Sequence, residues 1–400
     1  MGVTFSFSIE FLAVPFPKLV ATWVCLQGEE SEGGEVSTNQ PKQPLRIGFI
    51  GAARIAGKNW KAIYHSGTCV VKAVAARDKS KAGNFIETHQ AEFSFEEAPT
   101  AYGDYSELLD SPEIDAVYVP LPTALRKEWV IKAAQAGKHV ICEKPCAVTA
   151  KDLREMIEAC RENQVQFMDG VMFMHSPRLE VLRKLLEDEQ RIGPIRRISS
   201  EFTFLAGDDF DENIRVNADL EPAGCLGDLG WYNLRVILFA MQWQLPSKVS
   251  AHTLAVADDG KTPTAFSGEL FYSNGVSGSF YCSFDAELQQ WANICGQKGT
   301  VSMKDFIHPW NSYEPAFEIN RIEHRVTAGP EVKVPANPHV LGETGQPWGQ
   351  DTRMFQNFAK AVFSGTLNED WPAISLKTQL ILDACLASAE QGGELVAVAG

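Results

Sequence analysis

The sequence predicts an α/β protein in two folded parts: a doubly wound parallel sheet, then an α+β part built on a mostly antiparallel sheet. Three observations predict this. From Leu45 to Asn163, short apolar runs alternate with helical runs, the rhythm of strand–helix–strand units. From Ile195 onward, successive strand-like runs take over, divided by turn signals. Between the first strand and the first helix, Gly51 opens a tight turn of the kind that holds a nucleotide.

The elements follow in order. Leu45 to Ile50 is a short, mostly apolar strand, and Ile55 to Ser66 is a helix opening on the Gly51 turn. Val70 to Ala76 is a second strand, followed by Arg77 and a helix from Ser80. Glu107-Leu108-Leu109 ends a short helix, and Ala116 to Val119 is a strand stopped by Pro120 and Pro122. Leu125 to Ala136 is helical with Gly137 as its C-terminal cap, and a strand at 138–142 delivers Glu143 and Lys144. Ala150 to Asn163 closes the first part as a helix. In the second part, strands are expected over 197–205, 248–256, 267–272, 276–284, 291–295 and 300–303. Asn274-Gly275 signals a two-residue hairpin turn with positive φ, and 296–299 is another turn. Residues 314–350 read as a long covering loop, before amphipathic helices at 352–363 and 375–391. The expected boundaries are an extension and linker over 1–44, disordered, a dinucleotide-binding domain over 45–166, and a substrate-binding and dimerisation domain over 167–400.

Composition excludes several classes. The 400 residues are 45% hydrophobic and 22% charged, too apolar for a disordered chain and ordinary for a globular one. A net charge of −15 argues against a nucleic-acid or anionic-membrane partner, while leaving room for a local cationic pocket. The nine cysteines are scattered, with no CxxC pair and no zinc spacing, so they read as thiols in a reducing compartment and no metal is expected. The first 26 residues are apolar but broken by Pro15 and Pro17, and lack the basic start of a signal peptide. Met1-Gly2-Val3-Thr4-Phe5-Ser6 matches the short myristoylation pattern, with no basic patch to add a second anchor. A cytoplasmic location is the reading, with N-terminal lipidation and organelle targeting left open.

The nucleotide loop reads Gly51-Ala52-Ala53-Arg54-Ile55-Ala56. In a dinucleotide fold the first Gly makes the turn, the second lets backbone approach the pyrophosphate, and the third permits close helix packing. Gly51 keeps the first role. Ala56 is a common variant of the third, and Ala53 puts a methyl group toward the phosphates. At the end of the second strand, Arg77 suits a 2′-phosphate, which favours NADP over NAD; Asp78 suits a ribose hydroxyl.

Lys144 stands at the carboxyl end of a strand, where such sheets bind ligands. Farther on, Gly227-Asp228-Leu229-Gly230-Trp231-Tyr232 precedes a helical run. Asp228 and Tyr232 are four apart, so a helical start puts them on one face. A Tyr hydroxyl can shuttle a proton and an Asp can orient it; the plainer alternative is an Asp228 helix cap with Tyr232 packed. His175 suits either a structural hydrogen bond or a pocket lining, and Phe173 and Trp231 suit either a core or an apolar wall against a ring.

The ordered set Gly51-x-Ala53-x-x-Ala56, the run from Ala136 to Pro145, and Asp228-x-Gly230-x-Tyr232 resembles the glucose-fructose oxidoreductase, inositol dehydrogenase and MocA (Gfo/Idh/MocA) family over roughly residues 45 to 395. Arg77 and the Tyr232 form of the second signature are similar to its dimeric dihydrodiol dehydrogenase and NADP-xylose dehydrogenase branch. Met168-Asp169-Gly170 and His175-x-Pro177-Arg178 bring in uncharacterised plant members. The resemblance implies that Lys144, Tyr232 and Asp228 are catalytic, with Tyr232 as general acid/base; on charge grounds a Tyr hydroxyl beside Lys144 is expected to ionise more easily. It implies cofactor contacts from Gly51, Ala53, Arg54, Ile55, Ala56, Arg77, Pro120, Thr123, Glu143 and Lys144, and a substrate pocket with His175, Phe173 and Trp231. It also implies an open-faced second sheet, a homodimer, and a bond before Pro145 that is often cis. Arg126 departs from the His that many members carry after the Pro-Thr turn.

The function so implied is NADP(H)-dependent hydride transfer to or from a CH–OH group of a sugar, polyol or cyclic diol. Two other classes compete: an NAD-dependent glycosidase or lyase with transient redox, and a non-catalytic NADP-binding sensor.

Overall fold

In the computed structural model, residues 43–207, 210, 213–309, 317–321, 325–327 and 349–399 are described. The 1–42 segment, with its myristoylation pattern, lies outside them.

The first sheet has six parallel strands: β1 (Leu45–Ile50), β2 (Cys69–Ala75), β3 (Thr100–Tyr102), β4 (Ala116–Val119), β5 (His139–Cys142) and β6 (Phe167–Asp169). Their order, β3-β2-β1-β4-β5-β6, is that of a doubly wound dinucleotide fold, with the switch point between β1 and β4. Helices α1 (Arg54–Ser66), α2 (Lys79–Glu92), α3 (Tyr105–Leu109), α4 (Thr123–Gln135) and α5 (Ala150–Glu162) connect the strands. The central strands are apolar along their length because they are covered on both faces. Phe49 meets Trp60 edge-on at 6.3 Å, and the Trp60 ring N–H donates to the Phe93 carbonyl at 2.9 Å. The sheet runs past the boundary expected at 166, since β6 pairs with β5 from Phe167.

Past β6, a 3₁₀ turn at Met172–His175 leads into α6 (Pro177–Leu186), a helix the sequence reading lacked. The second sheet has nine strands: β7 (Ile195–Leu205), β8 (Lys248–Val256), β9 (Pro263–Phe271), β10 (Ser277–Ser283), β11 (Asp285–Gly296), β12 (Thr300–Met303), β13 (Glu318–Asn320), β14 (Arg325–Thr327) and β15 (Val396–Ala397). All its pairings are antiparallel except β7 with β10. Thus the expected fold class holds. Its inner face packs under α7 (Trp231–Ala240) and α9 (Asp370–Glu390). Its outer row, including Trp291, Glu201 and Tyr281 in register, is only half-buried.

Two expectations change. Asn274-Gly275 does sit in the hairpin that joins β9 to β10, but the turn is not a two-residue one. Only Gly275 has positive φ, and the turn closes as Tyr272 N–H to Val276 O at 3.0 Å, with the Asn274 side chain accepting from Val276 N–H. The covering loop expected over 314–350 lies largely outside the described residues, and its described pieces include β13 and β14.

The chain's last helices return to the first sheet. α8 (Gln350–Ser364) packs on α1 and on the Met172–His175 turn, and α9 packs on α5 and β6. Phe355 of α8 meets Tyr118 at 6.4 Å, and Asp383 of α9 accepts from the Ala150 N–H at the start of α5 at 2.6 Å. Among the described residues no helix is long and apolar enough to cross a membrane.

Candidate active site

The loop after β1 is built to leave donors free. Gly51 has φ of 119°, a region that L side chains rarely adopt. Ala53 is extended, so α1 begins at Arg54 with no side chain capping the N–H groups of its first turn. Ala56 N–H turns back to the Ala53 carbonyl at 3.0 Å. Arg54 and Ile55 are exposed on the open side, and Ala56 is buried against the sheet. This uncapped start fits a pyrophosphate, because the helix dipole and free N–H groups favour an anion.

At the end of β2, the two candidates for the adenosine ribose separate. Asp78 is committed to its own helix: its carboxylate accepts from Ser80 N–H and Ser80 Oγ, both at 2.8 Å, as the N-cap of α2. Arg77 is exposed and free to meet a phosphate.

Beyond β5 the chain turns through Glu143-Lys144-Pro145, with a cis Lys144–Pro145 bond. Glu143 is buried: one oxygen accepts from the Tyr118 hydroxyl at 2.6 Å, the other from Lys144 N–H at 3.2 Å. Lys144 reaches across the cleft. Its Nζ donates to Asp228 Oδ1 at 2.5 Å and to the Asp228 carbonyl at 2.7 Å. Arg215 Nε takes the other carboxylate oxygen, Oδ2, at 2.7 Å. Burial pushes the Asp228 carboxyl up, yet Arg215 and Lys144 together hold it well below the usual carboxylate range. Asp228 is therefore no helix cap. It sits in a π-helical turn, Leu226–Gly230, that runs into α7 with no side-chain capping bond. Such turns recur at functional sites because they re-aim side chains.

Tyr232 stands one turn later and is buried. The Lys144 ammonium lies over its ring, 4.8 Å from the centroid, while its hydroxyl points at Met172 Sδ at 3.6 Å. The expectation of an easily ionised hydroxyl beside Lys144 is corrected here. Burial raises the Tyr232 hydroxyl well above its ordinary value, and the negative charges of Glu143 and Asp228 raise it further.

The other expected residues divide. Phe173 packs behind Tyr232 at 6.0 Å and against Phe306 at 5.5 Å, so it supports the site from the core. Trp231 is 0% exposed and its ring lies against Arg235, not against the cleft; adjacent positions on a helix face apart. His175 bonds Asn357 of α8 at 3.0 Å and meets Trp371 of α9 at 6.0 Å, which places it in the packing between helices. Pro120 is buried beside the switch point. Thr123 is also buried, and both its N–H and its hydroxyl are taken by Glu221, at 3.0 and 2.5 Å, so they are not free for a cofactor. Arg126 lies buried beneath the Lys144 turn. The plant-like motif residues are structural: Asp169 pairs with Arg235 at 2.5 Å, and Arg178 bonds Asp305 Oδ1 and the Phe306 carbonyl, both at 2.8 Å.

Three residues absent from the sequence reading join the site. Arg215 has no periodic or motif signal; it comes from a short 3₁₀ turn at Ile214–Val216. His308 is held by Gln290 through its backbone, and burial, with Lys58 and Lys144 nearby, lowers its imidazole to about 3. Lys58, on α1, is exposed and has Asp351, Arg54, Arg215 and Lys144 as charged neighbours. Partial desolvation lowers its ammonium, countered in part by Asp351. Among the described residues no cluster of His, Cys, Asp and Glu could hold a metal ion.

Residues 45–171 match the model of an oxidoreductase family with an NAD-binding Rossmann fold, and residues 180–302 match the GFO/IDH/MocA C-terminal domain. The chain is 29% identical to a D-xylose 1-dehydrogenase (NADP(+)) of Haloferax volcanii, over 87% of this chain and 98% of that one. It is 32% identical to the trans-1,2-dihydrobenzene-1,2-diol dehydrogenase of Mus musculus, over 66% and 76%. A 3-ketoreductase from Actinomadura kijaniata, solved with NADP and TDP-benzene, superposes with a TM-score of 0.72 at 26% identity, over 86% of this chain and 98% of that one.

Proposed function

The chain belongs to the GFO/IDH/MocA oxidoreductase family, and from that premise we propose NADP(H)-dependent hydride transfer at a CH–OH group of a sugar, polyol or cyclic diol. The observation that carries this reading is the Lys144–Asp228 contact of 2.5 Å, just past the carboxyl end of β5 in a sheet whose first helix starts without a side-chain cap. Xylose and dihydrobenzenediol dehydrogenases among the relatives support the substrate class.

Gly51, Ala53, Arg54, Ile55 and Ala56 would hold the pyrophosphate at the start of α1. Arg77 would hold the 2′-phosphate, a task that Asp78, spent on its helix cap, does not contest. When bound, the cofactor supplies or accepts the hydride. Lys144 holds the reacting oxygen with its ammonium and helps to move the proton that the oxygen exchanges with Tyr232. Asp228, held ionised between two cations, aims Lys144 and carries no proton itself. Tyr232, kept protonated by burial, donates its O–H as the acid. Glu143 and Tyr118 fix the Lys144 turn from below.

The half-buried outer row of the second sheet, with Trp291 and Tyr281, supports a homodimer through that face. The eight described cysteines are all free thiols, which supports a cytoplasmic location.

The test is a titration with NADPH and with NADH, followed by nicotinamide fluorescence, then a screen of aldoses, polyols and cyclic diols for change in nicotinamide absorbance. Tight NADPH binding and net turnover are expected. Cofactor retained through purification with no net absorbance change on any of them would overturn the reading, in favour of a glycosidase or lyase.

A further inference from the structure

Arg126 is 5% exposed, yet its guanidinium joins three separate loops. Its Nε donates to the Leu121 carbonyl at 2.7 Å, in the loop after β4. Its Nη1 donates to the Pro145 carbonyl, one residue beyond Lys144. Its Nη2 faces Glu221 Oε1 at 3.8 Å. Glu221, from the segment leading to the Asp228 turn, covers the start of α4, where Pro122 provides no side-chain cap. It accepts from Thr123 N–H and hydroxyl, and the Leu220 carbonyl accepts from Ala124 N–H at 3.1 Å. The two turns also abut: a Cβ on Gly227 would come within 3.1 Å of the Pro145 ring. A displacement of either turn therefore alters the Lys144–Asp228 distance.

We propose that Arg126 is a positioning residue of this active site, holding the Lys144 turn through the Pro145 carbonyl and registering it against the Asp228 segment through Glu221. Neither residue is placed in contact with substrate. The planar guanidinium fork is the feature that matters, since it serves two carbonyls and a carboxylate at fixed angles. An ammonium is a point donor and a neutral imidazole offers one N–H, so neither reproduces the three directions. The inference rests on the proposed roles of Lys144 and Asp228, and its test includes a readout that needs no turnover.

The variants are Arg126→Lys, Glu221→Gln and the double variant Arg126→Met/Glu221→Gln. The double variant removes both charges of the pair, so the buried Arg126 position is not left beside an unpaired charge. NADPH affinity, kcat, melting temperature and the rate of Lys144 acetylation by acetic anhydride, read by mass spectrometry, are measured on each. In a folded Arg126→Lys protein, kcat is expected to fall about 10²-fold, the cost of a misplaced group, while NADPH affinity stays within about threefold. In the double variant, Lys144 acetylation should rise about 10-fold, as a charge-assisted bond loosens, with Lys127 as the unchanged internal control. Recovery of melting temperature without recovery of kcat supports positioning. If kcat recovers in step with melting temperature, or Lys144 acetylation is unchanged, the proposal is overturned. A wild-type protein that binds NADPH but turns over no sugar or diol would defeat the proposed function, and the acetylation rates would still decide the role of Arg126.

Discussion

The Lys144 ammonium is bonded twice to one residue, to Asp228 Oδ1 at 2.5 Å and to the Asp228 carbonyl at 2.7 Å. A long side chain that would otherwise sample many rotamers is thereby fixed from the opposite wall of the cleft. Arg215 holds the far side of the same carboxylate, so the direction of Lys144 depends on a charge that stays in place.

Lys144→Met should remove proton transfer and keep the apolar stem. The expected loss in kcat is about 10²–10⁴-fold, with NADPH affinity little changed. Asp228 retains Arg215, so folding survives. Single-turnover rates beside NADPH fluorescence titration check this; normal turnover would sink the mechanism.

Tyr232→Phe should separate chemistry from packing. The hydroxyl's described bond goes to a thioether sulfur at 3.6 Å, a weak partner, so the melting temperature should barely move. If the hydroxyl is the acid, kcat falls about 10²-fold. A kcat within threefold of wild type would remove that role.

Arg77→Ala should weaken NADPH about 10- to 100-fold, from the loss of a charge-assisted phosphate contact, and leave NADH binding unchanged. Asp78 caps α2 and will not take over. Equal losses for the two cofactors would show that Arg77 does not read the 2′-phosphate.

His175 gives a prediction about acid stability. Burial lowers its imidazole to about 4 from the ordinary 6.5, with Asp169 opposing. Because the folded value is the lower one, the unfolded chain gains the proton first, and stability falls as pH drops from 6.5 toward 4. His175→Gln, which can keep a bond to Asn357, should flatten that fall, recovering on the order of 2 kcal/mol near pH 4.5. Urea denaturation at pH 7 and pH 4.5 reads the difference; parallel losses in both proteins would exclude His175 as the cause.

The fold was legible where local pattern and tertiary burial agree. The short, mostly apolar runs at 45–50 and 116–119 read as strands, and they are. β3, three residues long and half-exposed, offered no such run. Lys144 and Asp228 were visible because their surroundings carry spacing. Arg215 was not: its contact with Asp228 spans 13 residues through a segment with no period. Trp231 left two readings open, because a large apolar ring ahead of a helix suits a core as well as a wall, and its ring is buried against Arg235. His175 was open between a structural bond and a pocket, because the sequence does not show which helices a ring will join.

The return of α8 and α9 to the first sheet bears on how the chain is made. When a ribosome has released residues 45–171, every strand of the parallel sheet exists, but Phe355 is not yet there to meet Tyr118, and the Ala150 N–H awaits Asp383. The nucleotide-binding half is thus finished last, and until α8 and α9 have been made the surfaces they cover stay open, which is the condition that makes a nascent chain prone to aggregate.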